Sequence, residues 1–238
     1  MHRIFISDLH LDEQLPGVTR AFFRFLTEEA ADCDELYILG DLFNYWISDR
    51  HNTPYQQEVA ARLAQVKAVK YFLPGNRDFL IGKSYCRRCG MTLLKDPSVI
   101  EKNVSEPMLL CHGDSLCTLD HGYQKFRKFR SNPFYLFIFK CLPMSVKNRF
   151  ANQVRTNAAN EKKIKSFREM VIVDQDFMKL MDHHKVKICI HGHTHKPQVH
   201  RYEQEQLTRI VLGDWNEHGF DYLDEQDGRL ELIHRPLC

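Results

Sequence analysis

Six short apolar runs punctuate this chain, and the turns that close them constrain the fold more than any other feature. They are Ile4-Phe5-Ile6-Ser7, Leu36-Tyr37-Ile38-Leu39, Val69-Lys70-Tyr71-Phe72-Leu73, Met108-Leu109-Leu110-Cys111, Ile188-Cys189-Ile190 and Ile210-Val211-Leu212. Each has the length of a buried strand, and most end in a Gly or in a turn carrying an acidic residue or histidine. Thr19–Ala31 and Tyr55–Val66, between the first runs, carry an amphipathic helical pattern, and Thr19 offers a cap for the first. Two more short strands, near 220–224 and 229–234, flank the turn Asp227-Gly228. The alternation predicts an α/β fold, with a helical insertion near 118–175.

The turns after five of these runs carry the chemistry. They read Asp8-Leu9-His10, Gly40-Asp41, Gly75-Asn76-Arg77-Asp78, His112-Gly113-Asp114 and His191-Gly192-His193-Thr194-His195. In open α/β sheets the carboxyl ends of the strands form the ligand crevice, so these turns are expected to converge. Taken singly, each has an ordinary reading: an Asp that caps a turn, a packed His, a Gly-Asn or Gly-Asp turn pair. Together they bring carboxylate, amide and imidazole donors to one place without a thiolate, as a metal site of oxygen and nitrogen ligands requires. Seven candidates (Asp8, His10, Asp41, Asn76, His112, His193 and His195) are too many for one catalytic ion with three protein ligands. Two ions about 3.5–4 Å apart, sharing a carboxylate, would use them all. Asp41 stands alone after its strand and suits the bridging position. In Asp8-x-His10 and His193-x-His195, alternate residues of an extended chain would aim each pair to one side.

Composition matters where it is uneven. The 33 basic and 31 acidic residues nearly cancel to +2. Yet residues 121–170 hold twelve Lys or Arg against Glu161 and Glu169 only, a net +10 that leaves −8 for the rest. Such asymmetry points to an anionic partner. The same stretch contains Pro133-Phe-Tyr-Leu-Phe-Ile-Phe-Lys-Cys-Leu-Pro143. That run is too short to span a bilayer and suits either a buried helix or an amphipathic element at a membrane or acyl chain. Met1-His2-Arg3 leads directly into the first run, so no secretory leader is expected, and the eight cysteines are expected to be reduced thiols. One Cys86-x-x-Cys89 pair without a second is weak support for zinc or redox chemistry.

The five motifs, in this order from residue 8 to 195, resemble the signature of calcineurin-like metallophosphoesterases. The resemblance implies one metallophosphoesterase domain over 1–238, a four-layer αββα sandwich of two mixed sheets with a helical lid insertion. It implies that Asp8, His10, Asp41 and His195 hold one ion and Asp41, Asn76, His112 and His193 the other. Manganese is the usual metal of the group resembled, with Fe²⁺ or Zn²⁺ as alternatives. Asp41, Asn76, His112 and Arg77 become the expected catalytic set, with Asp114 orienting a metal ligand.

Arg77 is a departure from the broader family, which has a proton-donating His after its Gly-Asn pair. An Arg stays charged and cannot protonate a leaving group, but it can neutralise a phosphate. That suits a leaving group needing no proton, such as the phosphate released from a pyrophosphate. Gly40-Asp41-Leu42-Phe43 with Trp46-Ile47, Gly75 to Leu80, and His112 to Thr118 are similar to one branch, the pyrophosphatases that cleave UDP-2,3-diacylglucosamine in Gram-negative lipid A synthesis. The resemblance implies attack on the alpha phosphorus by a hydroxide that the two ions activate, giving UMP and 2,3-diacylglucosamine 1-phosphate. Substrate contacts are expected at Asn76, Arg77, Asp120, Tyr123, Arg155, Lys162, Lys165 and His193. Ala158 and Lys162 stand where small polar side chains are expected, though Lys162 could still meet a phosphate. Phe134 to Phe139, Leu142 and Phe150 would meet the acyl chains. The expected partners are this acylated UDP-sugar and an anionic membrane surface, with no nucleic acid. The expected state is a monomer, cytoplasmic and peripheral on the cytoplasmic face of the inner membrane of a Gram-negative bacterium.

Two other readings compete. A metallophosphoesterase acting on nucleotides or cyclic nucleotides would explain the ligands but neither Arg77 nor the basic, apolar insertion. A binding scaffold without catalysis could lose ligands freely, whereas all seven positions hold competent donors.

Overall fold

In the computed structural model, eleven strands form two mixed sheets among the described residues, which are 1–50, 52–143, 145–147 and 171–237. The first sheet contains β1 (His2–Ile6), β2 (Glu35–Leu39), β3 (Val69–Leu73), β4 (Met91–Leu93), β10 (Gly219–Gln226) and β11 (Arg229–Pro236). Its order is β11-β10-β1-β2-β3-β4, with β1 to β4 parallel and the last two strands antiparallel. The second contains β5 (Ser98–Ile100), β6 (Met108–Leu110), β7 (Ile188–His191), β8 (Gln198–Tyr202) and β9 (Leu207–Val211), in the order β5-β6-β7-β9-β8. Here β6, β7 and β9 run parallel. All six predicted runs are strands, and the terminal hairpin turns at Asp227-Gly228 as expected. The three unforeseen strands are short or polar: β4 and β5 have three residues each, and β8 is an edge strand reading Gln-Val-His-Arg-Tyr.

The chain divides into two compact units. The first, residues 1–113 with 180–238, holds both sheets. Phe5, Tyr37, Leu39, Leu73 and Leu223 from one sheet and Met108, Leu110, Ile190, Ile210 and Leu212 from the other share one buried cluster. Strands buried in this way read as near-continuous apolar runs, which is why these segments stand out so plainly in the sequence.

Helix α1 (Pro16–Thr27) buries Val18, Ala21, Phe22, Phe25 and Leu26. Phe25 meets Trp215, Phe220 and Tyr222 edge-on, with ring centroids 5.4–5.9 Å apart. Burying such a ring contributes roughly 1.5–3 kcal/mol. The expected start at Thr19 is corrected to Pro16, because proline lacks the N–H that a first turn leaves unpaired anyway. Thr19 lies inside the helix, its hydroxyl 2.7 Å from that of Tyr55. Helix α2 (Pro54–Gln65) starts with a capping box in which Thr53 and Gln56 bond reciprocally. Helix α3 (Lys83–Arg88) leads into β4.

The second unit, residues 114–179, contains α4 (His121–Arg130), α5 (Pro133–Cys141) and the start of α6 (Asp174–His184). Asp120 caps α4 through the Tyr123 N–H, and Asn132 caps α5 through the Phe134 N–H. Asp114, fully buried, accepts from the Tyr123 hydroxyl (2.5 Å), Arg130 (2.5 Å) and Arg127 (3.1 Å). Thr118 donates to Asp176 at 2.6 Å, tying the two ends of the unit. The apolar run is not a buried helix: Phe134 and Phe137 are 66% and 68% accessible. No helix among the described residues is long and apolar enough to cross a membrane.

Candidate metal centre

Five ligand-bearing turns leave the carboxyl ends of the central parallel strands of both sheets. Asp8 and His10 follow β1, Asp41 follows β2 and Asn76 follows β3; His112 follows β6, and His193 and His195 follow β7. Their backbone is unusual. Asp8 (φ 54°), His10 (48°), Asp41 (52°), His193 (69°) and His195 (55°) all occupy the left-handed region. Extended chain therefore does not aim the alternate pairs, as the spacing suggested. Left-handed kinks do, at sites where Asp and His tolerate them better than most side chains. Backbone bonds hold the kinks: Asp8 N–H to Gly40 O (3.1 Å), His10 N–H to Asp41 O (2.9 Å) and Gly192 N–H to His112 O (3.0 Å). Gly40 has to be glycine here. Its φ is +88°, and a Cβ would lie 2.6 Å from both the Gly75 Cα and the His112 Nδ1.

Each carboxylate is anchored by one oxygen and presents the other to the imidazoles. Asp8 Oδ2 accepts from the Ser7 hydroxyl (2.7 Å) and the His193 N–H (2.8 Å). Its Oδ1 is buried without a hydrogen-bond partner and lies 3.4 Å from His195 Nε2. Asp41 Oδ1 accepts from the Arg77 N–H at 2.8 Å. Its Oδ2 faces His112 Nε2 (3.7 Å), Arg77 Nε (3.6 Å) and His10 Nδ1 (3.9 Å). Asn76 Oδ1 lies 2.8 Å from His112 Nε2 and 2.9 Å from His193 Nδ1. His112 turns its Nδ1 to the Leu39 carbonyl at 2.9 Å, which fixes the ring and directs Nε2 into the cluster.

Electrostatics make the cluster a poor place for nothing but protein. Burial works against ionisation of Asp8, yet His195 and the other nearby imidazoles hold the carboxyl below the usual range. Burial raises Asp41, His112 opposes that rise and the charge of Asp8 adds to it. Burial also holds His10 well below its ordinary value, so its ring is neutral and can ligate. Two crowded carboxylates, an orphaned buried oxygen on Asp8 and an orphaned buried Nδ1 on His10 fit divalent cations. The sets Asp8-His10-His195 and Asp8-Asp41-His112 each bring ligand atoms within 4.8 Å of one another. Asp8 belongs to both sets, and Asp41 lies in the second.

Residues 1–197 match the calcineurin-like phosphoesterase family over most of the chain. The chain belongs to that family. Among its relatives, the UDP-2,3-diacylglucosamine hydrolase of Ectopseudomonas mendocina is 43% identical over 222 residues, 91% of each chain. Proteins of the same name from Pseudomonas fluorescens and Azotobacter vinelandii are 41% and 43% identical, covering 95% and 92% of this chain and 93% of their own.

Arg77 joins the cluster of this phosphoesterase. Asp120 and Tyr123 belong to the second unit, where Asp120 caps α4 and the Tyr123 hydroxyl bonds Asp114. Asp114, expected behind a metal ligand, has its described bonds with α4. Arg155, Ala158, Lys162, Lys165 and Phe150 lie outside the described residues. Cys86 and Cys89 are buried free thiols that burial pushes up to about 12, which keeps them protonated and inert. His191 is buried, with Nδ1 at 2.8 Å from the Gly192 carbonyl, and burial lowers it to about 4.

Two supporting carboxylates were missed. Asp78 accepts the N–H groups of Leu42 (2.8 Å) and Gly75 (2.9 Å), joining the turn of Asp41 to that of Asn76. Asp214 Oδ2 lies 3.8 Å from His195 Nδ1, behind the ring. A signal for Asp214 existed: Gly213-Asp214 comes after the sixth apolar run just as Gly40-Asp41 comes after the second.

Proposed function

We propose that this phosphoesterase hydrolyses the pyrophosphate bond of UDP-2,3-diacylglucosamine, giving UMP and the 2,3-diacylglucosamine 1-phosphate. The observation that carries the reading is Arg77 inside the metal-ligand cluster, its Nε 3.6 Å from Asp41, where a monoesterase would need a proton donor. The names of relatives more than 40% identical over nine-tenths of the chain support the same substrate.

Asp8, His10, Asp41 and His195 would hold one divalent ion and Asp41, Asn76, His112 and His193 the other, with manganese as our assignment. When bound, such ions lower the pKa of water and neutralise charge developing on phosphate oxygens. Arg77 supplies a fixed positive charge for the departing phosphate, which leaves without taking a proton from the protein. Asn76 and His193 also contact the phosphates in this reading. In the insertion, the exposed rings of α5 receive acyl chains, and its Lys and Arg residues meet anionic groups of the lipid and of the membrane surface. Asp120, Tyr123, Arg155, Lys162 and Lys165 complete our set of substrate contacts. In this reading the enzyme works as a monomer at the cytoplasmic face of the inner membrane.

The test is a hydrolysis assay on the diacylated UDP-sugar with added Mn²⁺ in ¹⁸O-labelled water. Metal-dependent release of UMP carrying the label supports attack at the alpha phosphorus. Turnover of simple or cyclic diesters alone would overturn the assignment.

A further inference from the structure

Arg77 does not hold its own orientation. Its side chain is partly exposed, and its distance of 3.6 Å from Asp41 Oδ2 is too long for a hydrogen bond. A neighbour from a different turn fixes it: Arg77 Nη1 donates to Asn44 Oδ1 at 2.8 Å. Asn44 is itself held at both ends. Its Nδ2 donates to Asp12 Oδ2 at 3.0 Å, and its backbone N–H donates to the Leu11 carbonyl at 3.1 Å. Asp12 is locked in turn by the Gln14 N–H, which donates to its other carboxylate oxygen at 3.0 Å. A chain of hydrogen bonds thus runs from the turn after β1, through the turn after β2, to the guanidinium after β3.

We propose that Asn44, backed by Asp12, is the positioning residue that aims Arg77 at the pyrophosphate and so sets the preference of this site for that substrate. The inference rests on the hydrolase reading of the site. The reason is one of freedom. A guanidinium on three methylenes loses considerable entropy when it must meet a phosphate in one orientation. An acceptor oxygen fixed from behind can pre-order it before the phosphate arrives. The charge of Asp12 is kept one residue away, where it polarises the amide and strengthens the bond that Arg77 donates.

The experiment is a double-mutant cycle on the metal-loaded full chain, with kcat and KM measured on the diacylated UDP-sugar. Asn44→Ala is expected to lower kcat/KM about tenfold in the wild-type background, the effect of losing one bond to a charged group. In an Arg77→Ala background the same change is expected to cost less than about twofold, because the group it positions is gone. A swapped pair, Asp12→Asn with Asn44→Asp, keeps an acceptor for Arg77 and a donor–acceptor bond behind it. It is expected to recover kcat/KM to within about threefold of wild type. Bound Mn²⁺ per chain and the melting temperature are read for every variant. Equal tenfold losses in both backgrounds would overturn the proposal, as would an Asn44→Ala variant that loses its metal or fails to fold while the swapped pair gives no recovery. Failure of the underlying reading would look different: wild-type protein would not turn over the diacylated UDP-sugar.

Discussion

Asp78 reaches back across thirty-six residues to accept the backbone N–H of Leu42 at 2.8 Å. The same carboxylate accepts the Gly75 N–H at 2.9 Å, and both bonds are buried. One side chain therefore spaces the turn of Asp41 from that of Asn76. Asp78→Ala removes the acceptor from four buried amides, those of Asp41, Leu42, Phe43 and Gly75, and is expected to destabilise the protein by about 2–5 kcal/mol, measured by urea unfolding. Wild-type stability in this variant would show that the two turns hold themselves.

Asp214 stands behind His195 as a carboxylate stands behind many metal-bound imidazoles. Asp214→Ala is expected to weaken metal binding about 10–100-fold while the fold persists. Competition against a fluorescent chelator measures this directly, and unchanged affinity would remove Asp214 from the centre.

Phe134 and Phe137 on α5 present their rings to solvent. Replacing both with Ser is expected to leave the melting temperature within a few degrees, because surface changes usually cost under about 0.5 kcal/mol. The same variant is expected to lose about tenfold or more in kcat/KM for the diacylated substrate, since each ring buried against an acyl chain contributes roughly 1.5–3 kcal/mol. Sedimentation with anionic vesicles should fall in parallel.

Asp221 on β10 provides a further pH signature. Burial raises its carboxyl, a hydrogen bond from His234 at 3.2 Å only partly offsetting this. A carboxyl with a raised folded-state value contributes stability that is complete below the unfolded value near pH 4 and is lost as pH climbs through the raised value. Asp221→Asn has no such titration. Its melting temperature relative to wild type should improve as pH rises above about 4, and a constant difference above that pH would contradict the assignment.

Much of the centre was legible because donors that must meet an ion leave a chemical trace at the ends of apolar runs. Asp8, His10, Asp41, Asn76, His112, His193 and His195 were all visible in that way, and the structure brings them together. How they are aimed was not visible: the left-handed backbone of five of them depends on hydrogen bonds between distant turns. The supporting side chains were harder for the same reason. Asp78, Asn44 and Asp12 resemble ordinary turn residues until the partners they bond are known. At helix α1 the local rule itself competed, with Thr19 as a cap against Pro16 as a first-turn residue, and proline won.

The ligands are divided between the two sheets. Asp8, His10, Asp41 and Asn76 hang from the first, and His112, His193 and His195 from the second. Each proposed four-residue ligand set draws on both, so an ion held in either position would act as a bolt through the seam of the sandwich. Taking the bolts out and prising the sheets apart would then be parts of one event. The rate at which a strong chelator strips this protein would then report how often the seam opens, and a variant that merely loosens the interior, far from any ligand, would surrender its metal faster.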